Sequence, residues 1–216
     1  MTNFFGYMKL IRIALIFLLL AAPVYSQQNA TEWLAKGKEF EANGFNDLAI
    51  KCYNEVILLE PHNADDWINR GEALMRGGLD SGMRMRDYLD NVINAYDEAI
   101  ILDPKNVVAW IAKGDALNTQ GLLLSVPSKY EDAFKCFDQA TKLDPRNVNA
   151  WNLKASVLGN MGKDNESLDA YDEAIALAPN NAILMRNKAD VLSYMNRTAE
   201  SDALFAQATE LDPENN

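Results

Sequence analysis

The sequence predicts an all-α solenoid of five stacked helix–turn–helix units, and three periodic features support this fold class. Tryptophan recurs at intervals of 34, 43 and 41 residues, and proline recurs in step with it. A glycine separates the two apolar runs of helical spacing in each of the first four units. These positions are Trp33, Trp67, Trp110 and Trp151, then Pro61, Pro104, Pro145, Pro179 and Pro213, and Gly44, Gly78, Gly121 and Gly162.

Proline and glycine set the predicted boundaries of the helices. Each proline marks the end of a second helix, because proline disfavours helical geometry in the residue before it. Each glycine lies eleven residues after its tryptophan, where a helix that ends in a left-handed residue prefers one. Met185, 34 residues after Trp151, opens the fifth unit. The predicted repeats are about 30–63, 64–106, 107–147, 148–181 and 182–215.

Small and aromatic residues recur where the two helices of a unit must approach each other. The small residues are Gly37, Gly71, Gly114, Ala155 and Ala189 in the first helices, with Val56, Ala99, Ala140, Ala174 and Ala208 in the second. The aromatic residues are Tyr53, Tyr96, Phe137, Tyr171 and Phe205. With this order of residues the chain resembles the tetratricopeptide repeat (TPR) family over residues 30–215. The resemblance implies a right-handed superhelical solenoid that binds other proteins.

Two departures from the repeat pattern fall near the C-terminus. Met185 replaces the last tryptophan, and Ser167 and Ser201 stand where Ala49 and Ala133 pack in earlier units, so the last repeats are expected to be weaker. A coiled coil or an ordinary helical bundle is the competing fold, but a heptad pattern would not place prolines in register with tryptophans. Helices of about a dozen residues are marginal alone, so stacking is expected to stabilise the units.

The longer spacings place extra residues in repeats two and three. They are predicted at about 79–87 and 122–128, in the turn between the two helices of each repeat. Ser128 and Glu131 form a capping-box pattern that would start the second helix of repeat three. Asp80 or Ser81 is a candidate cap for the second helix of repeat two, which the insertion would extend toward the N-terminus. We expect the two insertions to touch; either they only pack on each other or they form a partner site. The candidate contacts are Met83, Arg84, Met85, Arg86, Leu122, Leu123 and Leu124.

Residues 1–26 are predicted to be a signal peptide or an N-terminal anchor. Lys9 and Arg12 precede a run from Ile13 to Ala22 without polar residues, and Pro23 closes it. The run is marginal in length for a permanent span. The sequence therefore predicts a secreted or extracytoplasmic protein, attached to a membrane only if this segment is retained. Three N-glycosylation sequons, at Asn29, Asn165 and Asn196, are open to use in a host that has the machinery.

The charge and the residue inventory disfavour several functional classes. A net charge of -11 disfavours nucleic acid as a partner and favours a soluble monomer. His62 is the only histidine, and it follows Pro61 in an expected solvated turn. The sequence therefore offers no catalytic residues, no metal site and no cofactor site. An enzyme of unrecognised type is the remote alternative.

Other reactive-looking residues have structural explanations. Cys52 and Cys136 are expected to be buried free thiols, because they stand at an apolar position of repeats one and three and are too far apart for a disulfide. The carboxylate pairs Asp65–Asp66 and Asp97–Glu98 are expected on solvated helix faces.

The resemblance implies that the concave groove, lined by the first helices, holds a protein segment. Positions one and five residues after each tryptophan or Met185 predict a groove that is apolar in repeats one to three and polar beyond. The candidate groove residues are Leu34, Lys38, Ile68, Asn69, Glu72, Ile111, Asp115, Asn152, Ser156 and Arg186. Asn69 fits one place of the set that grips chaperone tails in this family, but Val108 and Ala112 replace the bases that such binding needs.

These observations predict an extracytoplasmic interaction scaffold or assembly adaptor, with the insertion edge as a candidate second contact. The alternative is a structural component of a cell-surface complex. In that case copies would stack end to end through the C-terminal face, since no polar capping helix follows Pro213.

Overall fold

The computed structural model describes residues 29–77 and 83–213, and within these ranges the chain forms ten α-helices and no strand. Consecutive helices pair into five antiparallel hairpins, which confirms the predicted all-α, right-handed superhelical solenoid of five repeats. The predicted signal segment, 1–26, lies outside the described residues. The helices are α1 Ala30–Ala42, α2 Asn46–Leu59, α3 Ala64–Gly77, α4 Met85–Leu102, α5 Val107–Leu124, α6 Ser128–Leu143, α7 Val148–Asn160, α8 Asp164–Leu177, α9 Ala182–Tyr194 and α10 Thr198–Leu211.

An aromatic ring packed on a glycine closes each of the first three hairpins. A Cβ atom placed on Gly37 would lie 2.6 Å from Cε1 of Tyr53, and one on Gly114 would lie 2.6 Å from Cε1 of Phe137. Gly71 stands in the same relation to Tyr96, at 2.5 Å. Only glycine therefore allows the ring to lie this close to the first helix.

Serine hydroxyls close the last two hairpins. Ser167 Oγ donates to the backbone oxygen of Ala155 at 2.8 Å, and Ser201 Oγ donates to that of Ala189 at 2.9 Å. Both serines are buried. The two departures from the alanine pattern therefore each bring a hydrogen bond that joins the two helices of a repeat.

The turns inside the repeats follow the glycine prediction in part. Gly44 and Gly162 have left-handed φ values of 76° and 70°, and Asn196 holds the same register in repeat five with φ 59°. Gly121 is different, because α5 continues through it to Leu124 and the left-handed residue is Ser125, with φ 53°. Gly78 lies outside the described ranges.

The extra residues of repeat three mostly lengthen its helices, so most of the residues predicted at 122–128 in the turn are helical. α5 has 18 residues and α6 has 16, and only residues 125–127 separate them. The capping-box prediction is wrong: Ser128 is the first helical residue, and Pro127 at the N-cap makes no side-chain cap bond. α4 begins at Met85 after Arg84, not after Asp80 or Ser81, which lie outside the described residues.

A repeated polar contact joins each second helix to the first helix that follows. The basic residue three positions after each tryptophan or Met185 reaches the residue that follows the packing aromatic of the preceding repeat. We call these contacts the junction ladder. They are Arg70–Asn54 at 2.7 Å, Lys113–Asp97 at 2.5 Å, Lys154–Asp138 at 2.8 Å and Lys188–Asp172 at 2.5 Å. Each contact therefore joins two neighbouring repeats directly.

Hydrogen bonds from tryptophan side chains and a shared apolar core also connect neighbouring repeats. The indole nitrogens of Trp110 and Trp151 donate to the backbone oxygens of Pro104 and Pro145, at 2.9 and 3.0 Å. The largest apolar cluster runs from Ile68 to Val157 through five consecutive helices. Tryptophan and proline therefore share one period because they contact each other across each of these repeat junctions.

Two buried groups bear on the expectations from sequence. Cys52 and Cys136 are buried free thiols, and burial raises the pKa of Cys136 to about 11. Asp66 is only 1% exposed, so its expected solvated position is wrong; neither carboxylate oxygen accepts a hydrogen bond of good geometry, and the nearby Asn63 side chain only partly offsets the burial. In repeats three and four the same register holds Ala109 and Ala150, which are buried in the junction between repeats. Asp66 therefore places a carboxyl in an apolar position.

Candidate partner-binding groove

The first helices of the repeats lie side by side and form one wall of the solenoid. Asn160 Nδ2 of α7 donates to Asn118 Oδ1 of α5 at 3.0 Å. Asn187 Nδ2 of α9 donates to Asn152 Oδ1 of α7, also at 3.0 Å. These amide pairs join alternate helices of the chain directly, so α5, α7 and α9 share a continuous inner face. We call the groove the surface that this face forms together with α1 and α3.

The ten candidate groove residues differ in their exposure to solvent. Lys38 and Asp115 are exposed, and most of the others are partly exposed. Ile68 is an exception, because it is 7% exposed and packs in the main core cluster, so it is not an accessible groove residue. The partly exposed set is Leu34, Asn69, Glu72, Ile111, Asn152, Ser156 and Arg186.

Arg186 is held by the end of the last helix. Its guanidinium donates to the backbone oxygen of Asp212 at 2.9 Å and lies 3.6 Å from the carboxylate of the same residue. This cation is therefore compensated from within the chain and adds little free positive charge to the groove.

Three charged side chains in the N-terminal half of the groove form one network. Arg76 forms ion pairs with Glu41 of α1 and with Glu72, the latter at 2.9 Å. Glu41 also accepts a hydrogen bond from the Tyr53 hydroxyl at 2.8 Å. Burial, and then the charges around it, raises the pKa of Tyr53 to about 12. This part of the groove is a closed polar network that joins repeats one and two.

The C-terminal half of the groove holds an open polar cavity. The cavity has a volume of about 390 Å³ and lies between α7 and α9. Its lining includes Ser156, Asn160, Asn187, Asp190 and Tyr194. Tyr194 is 79% exposed, and Asp190 has no ion-pair partner among the described residues. Side-chain amides, carboxylates and an aromatic ring thus meet in one accessible space.

Sequence reasoning identified only part of this cavity. The position five residues after Trp151 gave Ser156, and the same position after Met185 is Asp190; the pattern missed Asn160, Asn187 and Tyr194. Asn160 and Tyr194 stand nine residues after Trp151 and Met185, on the same helical face as the fifth position, because residues four apart are neighbours. Extending the pattern by one further turn would have found both residues.

The environment of the groove shifts the pKa values of two of its side chains. Desolvation by the surrounding protein raises the pKa of Asp115. Burial, followed by the charge of Asp190, raises the pKa of Tyr171 to about 12. The hydroxyl of Tyr171 is therefore neutral at physiological pH and can serve only as a hydrogen-bonding group in the cavity wall.

The insertion edge is a second exposed surface. Leu122 and Leu123, at the end of α5, are 54% and 58% exposed, and Leu124 and Met85 pack against the main core cluster. Arg84 is paired with Asp87 at 2.7 Å. Two further candidate contacts, Met83 and Arg86, are exposed. The lengthened helices are joined where Gln120 Nε2 donates to Asp90 Oδ1 at 2.7 Å.

Neither a metal site nor a membrane-spanning helix occurs in the described ranges. Among residues 29–77 and 83–213, no group of histidine, cysteine, aspartate and glutamate side chains is arranged to hold a metal ion. No helix in the same part of the chain has both the length and the apolar character needed to cross a membrane.

Three solved structures illustrate the similarity in fold. MamA from Desulfovibrio magneticus RS-1, residues 41 to the end, superposes with a TM-score of 0.72 at 15% identity, over 87% of this chain and 97% of that one. YrrB, described as a TPR protein with an unusual peptide-binding site, gives 0.65 at 13% identity, over 87% and 88%. The TPR protein TTC0263 of Thermus thermophilus gives 0.62 at 15% identity, over 86% and 93%. These likenesses show the fold.

Sequence comparisons identify the repeats independently. A search of curated proteins finds no match to the chain. Three tetratricopeptide repeat models match residues 34–81, 136–169 and 187–215, which do not overlap and together span just over half of the 216 residues. With the superhelical hairpins and the periodic tryptophan, glycine, aromatic and proline residues, these matches make the chain a member of the tetratricopeptide repeat family.

Proposed function

We propose that this protein is a non-catalytic interaction scaffold or assembly adaptor outside the cytoplasm, and that it holds a segment of another protein in its groove. The observation that carries the proposal is the open cavity between α7 and α9, with its amide and carboxylate lining. Each asparagine amide there can form more hydrogen bonds than the one it makes to its neighbour. The unused donors and acceptors suit the backbone of a bound segment.

The comparisons support the same kind of function. YrrB has the same fold and is described as having a peptide-binding site. The location outside the cytoplasm rests on the basic and apolar pattern of residues 1–26. The insertion edge, with Leu122 and Leu123 exposed beside each other, offers an additional contact for the same partner.

The alternative function, end-to-end stacking into a cell-surface structure, has one observation in its favour. A cavity of about 500 Å³ lies at the C-terminal end of the solenoid, and exposed Ile183 and Leu211 are among its lining residues. An incoming copy could bury these side chains. Concentration-dependent sedimentation tests this alternative, since a stacking chain would grow in mass as its concentration rises.

The junction ladder weighs against stacking. Its acceptor position, which is Asn54 or an aspartate in repeats one to four, is Ala206 in repeat five. The basic residue that an incoming first repeat would present there is Lys36, which lies 5.2 Å from the ring centroid of its own Trp33. A copy stacked in the register of the internal repeats would therefore lack this polar contact. A monomer is the form that this asymmetry favours.

Site-specific photocrosslinking tests the groove proposal. A photoreactive residue at Asn152 or Ser156 is expected to capture the same host-envelope protein, identified by mass spectrometry, and excess unlabelled chain should compete the product away. The matched control is Glu173, an exposed position on the second helix α8. Equal capture at Glu173, or no common protein at the two groove positions, would refute the groove as the binding surface.

A further inference from the structure

In α5, α7 and α9, which form the C-terminal half of the groove, the basic side chains and the acidic side chains differ in where they make contacts. α5, α7 and α9 contain four basic residues in all, and every one is paired away from the cavity. Three belong to the junction ladder and reach second helices, and the fourth is tied to the chain end. The pairs are Lys113–Asp97, Lys154–Asp138, Lys188–Asp172 and Arg186–Asp212.

The acidic residues of the same helices are exposed at the groove and form no ion pair with the described part of the chain. Asp115 of α5 and Asp190 of α9 are the two carboxylates of these helices, and α7 has none. Both are exposed at the groove, and neither has an ion-pair partner in the part of the chain that the structure describes. The groove therefore presents negative charge that its own helices leave uncompensated.

The two carboxylates stand at one register, two helices apart. Asp115 lies five residues after Trp110, and Asp190 lies five residues after Met185. Helices that pack side by side are about 8 to 10 Å apart, so the carboxylates are separated by roughly 20 Å along the groove. An extended chain rises about 3.3 Å per residue and alternates its side chains, so residues roughly six apart reach both positions from the same side.

An aromatic ring and the amide pairs complete the surface. Tyr194 stands four residues after Asp190, on the same helical face, and its exposed ring can stack on a guanidinium held by that carboxylate. The amides of Asn152, Asn160 and Asn187 lie between the two carboxylates in chain order and can bond the peptide backbone.

We propose, building on the proposed function, that the groove binds an extended protein segment carrying two basic residues, preferably arginine, about six positions apart. One basic side chain pairs with Asp115. The other pairs with Asp190 and stacks on Tyr194. The amides of α7 and α9 bond the backbone of the segment between its two basic residues. The Glu41–Arg76–Glu72 network, whose charges are paired with one another, limits the region of the groove that is available for charge pairing.

Labelled synthetic peptides of about ten residues, in a serine and glycine background, test the spacing. One peptide carries arginines about six residues apart, a second carries them about three apart, and a third carries glutamates at the wider spacing. Binding to the full-length chain is measured by fluorescence anisotropy at low ionic strength. We expect the wide arginine peptide to bind about threefold more tightly than the narrow one and at least about tenfold more tightly than the glutamate peptide.

Charge-removing variants identify the residues. Asp115→Asn and Asp190→Asn are each expected to weaken the wide arginine peptide about threefold, and together about tenfold. The matched control is Asp169→Asn with Asp202→Asn, which removes the same charge from exposed positions on second helices. Tyr194→Ala should weaken an arginine peptide more than a lysine peptide, because the planar guanidinium is the better stacking partner.

The outcomes separate this inference from the function on which it rests. Equal binding of the three peptides, or equal weakening by the control pair, would overturn the preference for a basic segment. If photocrosslinks at Asn152 and Ser156 still capture one partner, the groove function stands without that preference. If the crosslinks also fail, both proposals fall.

Discussion

Repeats one to three and repeats four and five close their hairpins by different chemistry. The first three place a ring directly on a glycine backbone, as Phe137 does on Gly114. The last two carry alanine there and add a buried serine that bonds the backbone of the opposite helix. Repeats of one chain thus form the same kind of hairpin either with a glycine under the aromatic ring or with an additional hydrogen bond from a buried serine.

The same two regions differ in how they treat buried polar groups. Ser167 and Ser201 are buried with their hydroxyls bonded. Among the described residues, buried side-chain oxygens without a hydrogen-bond partner occur at Asn46, Asp66 and Gln120, and at the Glu41 oxygen that forms an ion pair with Arg76, all in the first three repeats. The serine substitutions, which look like defects in the repeat pattern, are therefore satisfied, while a typical-looking helix start at Asp66 contains an unsatisfied carboxyl.

The largest expected effect comes from filling the space under a ring. Gly114→Val should lower the free energy of unfolding by about 3 kcal/mol, because the new side chain would overlap Phe137 and force the helices apart. The helix propensity of valine exceeds that of glycine by only a few tenths of a kcal/mol, which cannot offset the overlap. Urea unfolding followed by circular dichroism measures the loss.

Ala155→Gly is the matched control for this comparison. Repeat four already accommodates a methyl group at that position, so the reverse substitution should cost only about 1 kcal/mol, mainly from helix propensity. If Gly114→Val left stability unchanged, the close approach of ring and backbone would not be what distinguishes the first three repeats.

Replacing Asp66 should stabilise the protein. Asp66→Ala gives the second repeat the residue that repeats three and four have, and we expect about 1 to 2 kcal/mol of added stability at neutral pH because an unpartnered buried carboxyl is removed. Urea unfolding at neutral pH measures the gain. Asp65→Ala, at the exposed neighbouring position, is the control and should show no such gain.

The gain at Asp66 should depend on pH with a definite sign. Burial, and then the charge of Glu60, raises the pKa of Asp66 in the folded state. The folded chain therefore holds this proton at pH values where the unfolded chain has lost it, and the wild type regains stability as pH falls toward the unfolded value of about 3.9. The advantage of Asp66→Ala should shrink over that range. A pH-independent advantage would mean that its charge is not the cause.

The sequence predicted the repeats well because the period itself carries the information. Tryptophan, proline and the packing aromatic mark contacts made between or within every hairpin, such as the bond from Trp110 to Pro104. Local variation was harder to predict. The glycine at 121 looked like a turn residue, but in the folded chain it receives the ring of Tyr130 and the turn moves to Ser125.

The site was predicted in outline and missed in detail for a related reason. Positions one and five after tryptophan describe the face of a first helix near its start, whereas the cavity lies at its end. Ile68 shares a register with Asn152 but is 7% exposed, because it packs in the main core cluster. Register predicts which face a residue occupies, and only the packing of neighbours decides whether that face is open.

A medium effect is expected from the serine hydroxyls. Ser167→Ala should lower the free energy of unfolding by about 1 kcal/mol, the usual net value of one hydrogen bond, because the bond to the Ala155 oxygen is lost without creating a large cavity. The exposed Ser193→Ala is the control and should be neutral. Hydrogen exchange localised to α7 and α8 would show whether the loss is confined to repeat four. An unchanged stability would mean that the hydroxyl is incidental to closing the hairpin.

The smallest expected effect lies in the junction ladder, where the first junction differs in charge from the other three. Lys154 pairs with a carboxylate, Asp138, whereas Arg70 of the first junction bonds the neutral amide of Asn54. Lys154→Gln should therefore cost about 0.5 kcal/mol at low ionic strength and less at high salt, because screening weakens an ion pair. Arg70→Gln should show a cost that salt changes little. If the two variants responded to salt in the same way, the ladder would act through packing of the long side chains, and its charges would not set the register of the repeats.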